Sequence, residues 1–160
     1  MVIAGTGHRP NKLGGYSQEA FDKLVNIAIE WLLENKPTKV ISGMALGWDQ
    51  ALAQASKDVG IPYIAAVPFK GQEKKWPQKS QDYFKYLLQF AEEVIFVSEG
   101  TYDLRFMQIR NEWMVDNCDI ILAMYDGTKG GTHNCVEYAK SKNKQIINLY
   151  DKLCLQNSNC

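Results

Sequence analysis

Six short apolar runs, separated by longer segments of helical period, constrain this chain more than any other feature. The runs are VIAG (Val2–Gly5), VIS (Val40–Ser42), YIAAV (Tyr63–Val67), VIFV (Val94–Val97), IILAM (Ile120–Met124) and IINL (Ile146–Leu149). Each is too short for a helix and apolar at successive positions, the pattern of a strand covered on both faces. Helices are expected over Ser17–Glu34, Leu46–Val59, Gln78–Glu92, Asp103–Asn117 and Thr132–Lys142. In the first, Phe21, Leu24, Val25, Ala28 and Leu32 recur at a spacing of three to four, Ser17 is placed to cap the N-terminus, and Pro37 follows the end. Strands and helices in alternation predict an α/β fold with a mostly parallel sheet of about six strands between two helical layers.

A chain of 160 residues suits one domain, here residues 1–150, with the polar stretch DKLCLQNSNC forming a tail over 151–160 that is loose or packs on a neighbouring subunit. With 46% hydrophobic and 22% charged residues, the composition is that of a globular protein. Lys plus Arg equals Asp plus Glu at 18 each, so bulk charge gives no reason to expect nucleic acid or an anionic membrane as partner. The local cluster Lys70, Lys74 and Lys75 reads as a solvated face. No run approaches the ~18 apolar residues of a membrane span, and the N-terminus lacks the basic and apolar regions of a signal peptide. Cys118, Cys135, Cys154 and Cys160 show no metal-binding spacing, so the expectation is a cytoplasmic chain with reduced thiols and no metal.

In open parallel sheets, ligands bind beyond the C-terminal ends of the strands, and the unusual residues of this chain cluster there. After the first strand, GTGHRP offers Gly5 and Gly7 for close backbone approach, the Thr6 hydroxyl, and His8 and Arg9 as donors to an anion. Pro10 and the late start of the next helix set it apart from a dinucleotide-binding fingerprint. After the second, SGMALGWDQA brings Ser42, Gly43 and Gly47 to a tight turn, with Trp48 as either a stacking platform or packing. Asp49 fits two roles there, complementing the helix dipole or accepting a ribose hydroxyl. The long loop after the third strand carries Gln72, which could read a base edge, and Trp76, which could cover it; a wet surface loop is the alternative. Met107, Arg110 and Met114 share a helical face, and an arginine in apolar surroundings calls for an anion, either a ligand phosphate or an internal carboxylate; Asn111 is a second polar contact. After the fifth strand, DGTKGGTHNCVE places Asp126, Gly130, Gly131 and Thr132 where a helix begins, forming a phosphate nest, while Cys135 reads as packing.

Taken together and in order, TGHRP, SGMALGWDQA, the RN of QIRNEWMVD and DGTKGGTHNCVEYA resemble the YpsA-like branch of the SLOG superfamily, which includes the LOG-type phosphoribohydrolases and DprA-like domains. The resemblance spans roughly Val2 to Leu149 and implies a Rossmann-like three-layer sandwich that binds a nucleotide or nucleotide-derived molecule at these loops. It also implies a homo-oligomer, since superfamily members often pair. The LOG-type enzymes carry a Met-x-x-Arg-x-x-x-Met pattern, matched by Met107, Arg110 and Met114, and a GGxGTxxE pattern ending in a catalytic glutamate. Aligning Gly131–Thr132 with that GT puts Cys135 in the glutamate position; Glu137 lies about 200° around the helix from the catalytic direction. The expectation is therefore a binding protein, a sensor or sequestering protein for a nucleotide signal that requires no cofactor. The alternative is an N-glycosidase or a deoxyribosyl- or phosphoribosyl-transfer enzyme, with Asp49 as its best carboxylate.

Overall fold

A computed structural model describes residues 1–157. Six strands form one sheet: β1 (Val2–Gly7), β2 (Lys39–Ser42), β3 (Tyr63–Val67), β4 (Glu93–Phe96), β5 (Ile120–Met124) and β6 (Gln145–Asn148). Their order is β4-β3-β2-β1-β5-β6, and every pairing is parallel. The helices are α1 (Gln18–Asn35), α2 (Trp48–Val59), α3 (Gln78–Phe90), α4 (Arg105–Asp116), α5 (Gly131–Ser141) and α6 (Tyr150–Asn157), with a 3-10 turn at Pro10–Lys12. The Rossmann-like α/β architecture expected from the sequence is therefore present.

Alternation along the central strands builds the layers, because successive side chains point to opposite faces. Ile3, Val40, Ala65 and Leu122 join the core with α1, α2, α3 and Leu153 of α6. Their neighbours Ala4, Ile41, Ala66 and Ile121 join a second core with Met114 and Val115 of α4 and Cys135 and Ala139 of α5. The chain winds outward from β1 to β4, then returns over the second face through α4 to place β5 on the other side of β1. The crevice between β1 and β5 is thus a topological switch point, where loops diverge and leave room for a ligand.

Local signals account for the helix ends. Ser17 Oγ accepts the Ala20 N–H at 3.1 Å as the cap of α1, and Gly60 closes α2 in the left-handed region. Three expectations are corrected. First, β4 and β6 are edge strands, with Glu93, Phe96, Gln145 and Asn148 exposed, so they are not covered on both faces. Second, the tail is ordered as α6 as far as Asn157, because Leu153 is buried against the α1 side of the core and Lys23 donates to Asn157 at 3.0 Å. Third, Cys118 and Cys135 are free and buried, but Cys154 is disulfide-bonded; Cys160 lies outside the described residues. Among the described residues, no helix is long and apolar enough to cross a membrane.

Candidate functional site

A cavity of about 400 Å³ opens at the switch point. Its walls are the end of β1 and the following turn (Thr6 to Arg9, Asn11, Lys12), the start of α2 (Ala45, Asp49), one face of α4 (Met107, Arg110, Asn111) and the entry to α5 (Lys129 to Thr132). Four cationic side chains, Arg9, Lys12, Arg110 and Lys129, face a single carboxylate there, in a chain whose overall charge is zero. The cavity is therefore locally suited to an anion, although bulk composition gave no such sign.

Arg110 organises the floor. It is 4% exposed, and its Nη1 donates to the carbonyls of Gly43 and, at 3.4 Å, Ala66. Its Nε donates to Asn111 Oδ1 at 3.0 Å, and Asn111 Nδ2 reaches the Gly131 carbonyl at 3.4 Å. One side chain of α4 thus ties together the ends of β2 and β3 and, through Asn111, the start of α5. Among the described residues, its Nη2 meets only the Met107 sulfur, at 4.0 Å. That leaves a buried, charged donor on the cavity wall with capacity to spare.

Asp49 provides the complementary group. Its Oδ2 accepts the Ala45 N–H at 3.3 Å, whereas its buried Oδ1 has no hydrogen-bond partner among the described residues. Burial pushes the carboxyl above the ordinary carboxylate range, and Arg110 and Arg9 pull it back only in part. Burial likewise lowers Arg110, with Asp49 opposing. The two charges feel each other but form no ion pair within 4 Å, so both remain available to a third group. An unsatisfied buried carboxylate oxygen is costly, and a ligand hydroxyl would satisfy it.

A second cavity, of about 430 Å³, lies between α1, α2 and α3. Its buried amide, Gln50, donates to the Met44 carbonyl at 3.3 Å, and none of the partnerless buried atoms among the described residues belongs to its lining. The chemistry is concentrated at the switch point.

The sequence profile of YpsA, the YspA SLOG family, matches residues 3–158. The chain belongs to this family. The SPbeta prophage-derived protein YoqJ of Bacillus subtilis (strain 168) is 37% identical over 135 residues, which cover 74% of this chain and 79% of YoqJ. DNA processing protein A of Streptococcus pneumoniae shares the fold with a TM-score of 0.65 at 18% identity. The likeness covers 98% of this chain but only 56% of that one. The molybdenum cofactor binding protein of Rippkaea orientalis has a TM-score of 0.59 at 16% identity, over 99% of this chain and 85% of that one.

Within this SLOG fold, the cavity gathers Thr6, Gly7, His8, Arg9 and Asp49 with Arg110, Asn111, Gly130, Gly131 and Thr132. Other expected contacts lie behind or away from it. Gly5 lies behind the cavity in β1, where a Cβ would stand 2.5 Å from Leu52; a Cβ at Gly7, which does reach the cavity wall, would stand 2.5 Å from Trp48, so both glycines admit α2 against the strand. Trp48 is fully buried and donates to the Leu122 carbonyl at 3.1 Å, which removes it as a stacking platform. Ser42 Oγ donates to the Asp49 carbonyl at 2.7 Å and accepts the Met44 N–H at 3.2 Å, fixing the turn into α2. Gly43 backs the site, since a Cβ there would sit 2.5 Å from Arg110 Nη1 and 2.9 Å from Asp49 Oδ2. Gly47 caps α2 at the wall of the second cavity.

The loop after β3 is two strands removed from the switch point. Trp76 packs edge-on against Phe84 at 5.5 Å, and Gln72 is buried with both amide atoms unpartnered among the described residues; neither lines the cavity. Asp126 also lies outside the lining, beside His8. Cys135 is packed in the second core, its thiol pushed up to about 11 by burial against the pull of a Thr6 hydrogen bond and Arg110. Buried and held in its thiol form, it has the surroundings of a packing residue. Lys12, Lys129, Asn11 and Met107 also line the cavity, although the sequence expectations do not include them as contacts; the signal for Lys129 is its place beside Gly130 in the DGTKGGTHNCVE loop, while Asn11 and Lys12 follow directly on GTGHRP.

Proposed function

We propose that the protein binds a nucleotide or nucleotide-derived small molecule in the switch-point cavity and acts in the cytoplasm as a sensor or sequestering protein for it. The observation that carries this reading is a pair of uncompensated groups in one cavity. Among the described residues, Arg110 Nη2 faces only a sulfur, and Asp49 Oδ1 faces no hydrogen-bond partner. A ligand carrying both a hydroxyl and an anionic oxygen satisfies the two together, and a sugar phosphate has both. Arg9, Lys12, Lys129 and the N-terminus of α5 supply further positive potential for phosphate. The molybdenum cofactor binding protein, a ligand binder by its name, has the same fold and supports a binding role.

A second reading, cleavage or transfer at a nucleoside N-glycosidic bond, is favoured by one observation. Asp49 has a free oxygen and a raised pKa, properties suited to acid–base work or to stabilising a cationic sugar. Against it stands the burial of Cys135 in the position of the LOG-type glutamate.

Incubating the purified protein with nucleoside monophosphates, cyclic dinucleotides, ADP-ribose-type compounds and a single-stranded oligonucleotide, then identifying what is released on denaturation, separates these readings. Intact small molecule supports binding, free base or an altered nucleotide supports catalysis, and retention of the oligonucleotide alone overturns both in favour of the DNA role suggested by DNA processing protein A. Pairing with a second copy belongs to the same proposal; sedimentation as a single 18.2 kDa species would sink it.

A further inference from the structure

The loops on either side of the crevice are joined by a run of hydrogen bonds that ligand binding as proposed above does not use. Lys12 Nζ donates to Thr128 Oγ1 at 2.6 Å, and that hydroxyl donates to Asp126 Oδ1 at 2.6 Å. The Thr128 N–H reaches the same oxygen at 2.9 Å, and His8 Nε2 stands 2.7 Å from it. The Asp126 N–H also lies 3.1 Å from His8 Nε2. One imidazole nitrogen cannot both donate to the oxygen and accept from the N–H.

The carboxylate decides between them. Burial opposes its ionisation, but the Thr128 hydroxyl and N–H and the His8 ring hold Asp126 at about 2. At neutral pH its oxygens offer only lone pairs, so the nitrogen facing Oδ1 at 2.7 Å must carry the proton. Burial, opposed by Asp126 and aided by Lys12, keeps His8 below its usual value, so the ring is neutral. His8 is then the Nε2–H tautomer, and the contact with the Asp126 N–H is a close approach without a hydrogen bond.

We propose that this run is a latch on the binding site, with a fixed end at His8–Asp126 and a releasable end at Lys12–Thr128. His8 is 6% exposed, and its bond to the charged oxygen of half-buried Asp126 is shielded from water on the His8 side. Lys12 and Thr128 are both exposed, so the bond between them has water as a competitor at every moment. Lys12 lines the cavity and forms no ion pair among the described residues. A phosphate entering the cavity offers it a charged acceptor in place of a neutral hydroxyl. Lys12 therefore changes partner, from Thr128 to the ligand, while His8 and Asp126 hold the segment from Tyr125 to Gly130 in place to present the entry to α5. Asp126 is thus a positioning residue. The partner change rests on the proposed binding of a phosphate-bearing ligand; the fixed end does not.

Amide hydrogen exchange of the ligand-free protein tests the fixed end. In Asp126→Ala, exchange across residues 125–131 is expected to rise at least tenfold while β2 and β3 keep their protection. In Lys12→Met, the same amides are expected to stay within about twofold of the parent. Unchanged exchange in Asp126→Ala, or an equal rise in both variants, overturns the latch. AMP and pyrophosphate then serve as probes: Lys12→Met should lose about tenfold in affinity for whichever binds, and the Lys12 Nζ resonance should move on titration. Binding without either change overturns the partner exchange. If neither probe binds, phosphate binding fails and the exchange of partner with it, while the hydrogen-exchange comparison still judges the fixed end.

Discussion

Asp49 is held in a place that raises the energy of its charged form. Its folded pKa lies above the ordinary 3.8, so in the window between them the folded state binds more protons than the unfolded one. Stability therefore falls as pH rises from 3.8 through the folded value and stays reduced at neutral pH. Asp49→Asn is expected to raise the melting temperature at pH 7, to change it little below pH 3.8, and to weaken ligand binding. Thermal denaturation at the two pH values, set beside calorimetric titration, checks all three. Gly43 makes a second prediction at this scale. A methyl group there meets Arg110 and Asp49 together, so Gly43→Ala should cost about 1–3 kcal/mol, as overpacking does, and should disturb both charged groups at once. Denaturant titration measures the first effect and ligand affinity the second. What the sequence showed of individual residues was their chemistry and not their direction. Arg110 was legible because a charge on an apolar face needs an explanation, whereas nothing local to Trp48 tells whether an indole faces a ligand or the underside of β1.

Among the elements, the strands and the first five helices follow from period and capping, and the discrepancies have physical causes. β1 runs on through Thr6 and Gly7, which pair with Ala123 and Met124. Glycines read as loop residues are strand residues thinned to let α2 approach. α6 is not legible in the sequence because eight residues with one buried side chain leave no periodic trace. Leu153→Ala should nonetheless cost about 2–5 kcal/mol, the usual range for emptying a buried leucine site, since Leu153 is 2% exposed in the core shared with α1. Equilibrium unfolding in urea checks this, and a cost under about 0.5 kcal/mol would make α6 an ornament.

At the scale of the molecule, the strand-by-strand pattern announces a parallel sheet and predicts that function lies beyond the C-terminal strand ends. Strand order is carried by contacts between distant segments and leaves no local mark. For this reason the loop holding Gln72 and Trp76 could not be told apart from those of the true crevice. The order β4-β3-β2-β1-β5-β6 sends α4 back from one edge of the sheet, and that return delivers Arg110 beside β1. It also concentrates four cations around a cavity in a chain of zero net charge. Ligand affinity is therefore expected to fall with salt, while the sedimentation and melting behaviour of the free protein changes little between about 50 and 500 mM, where the screening length shrinks from above to below 10 Å. Affinity independent of salt would place the ligand away from these cations.

Trp48 lies against Gly7 on the core side of β1, while the cavity opens at that strand's end. Its indole is sealed from water and hydrogen-bonded to the Leu122 carbonyl of β5, the strand on the far side of the crevice. With the other three tryptophans, Trp31, Trp76 and Trp113, replaced by Phe, it becomes an optical gauge of the crevice. An indole in such surroundings emits toward the blue, and a spreading of β1 from β5 is expected to shift that light to the red without an added dye.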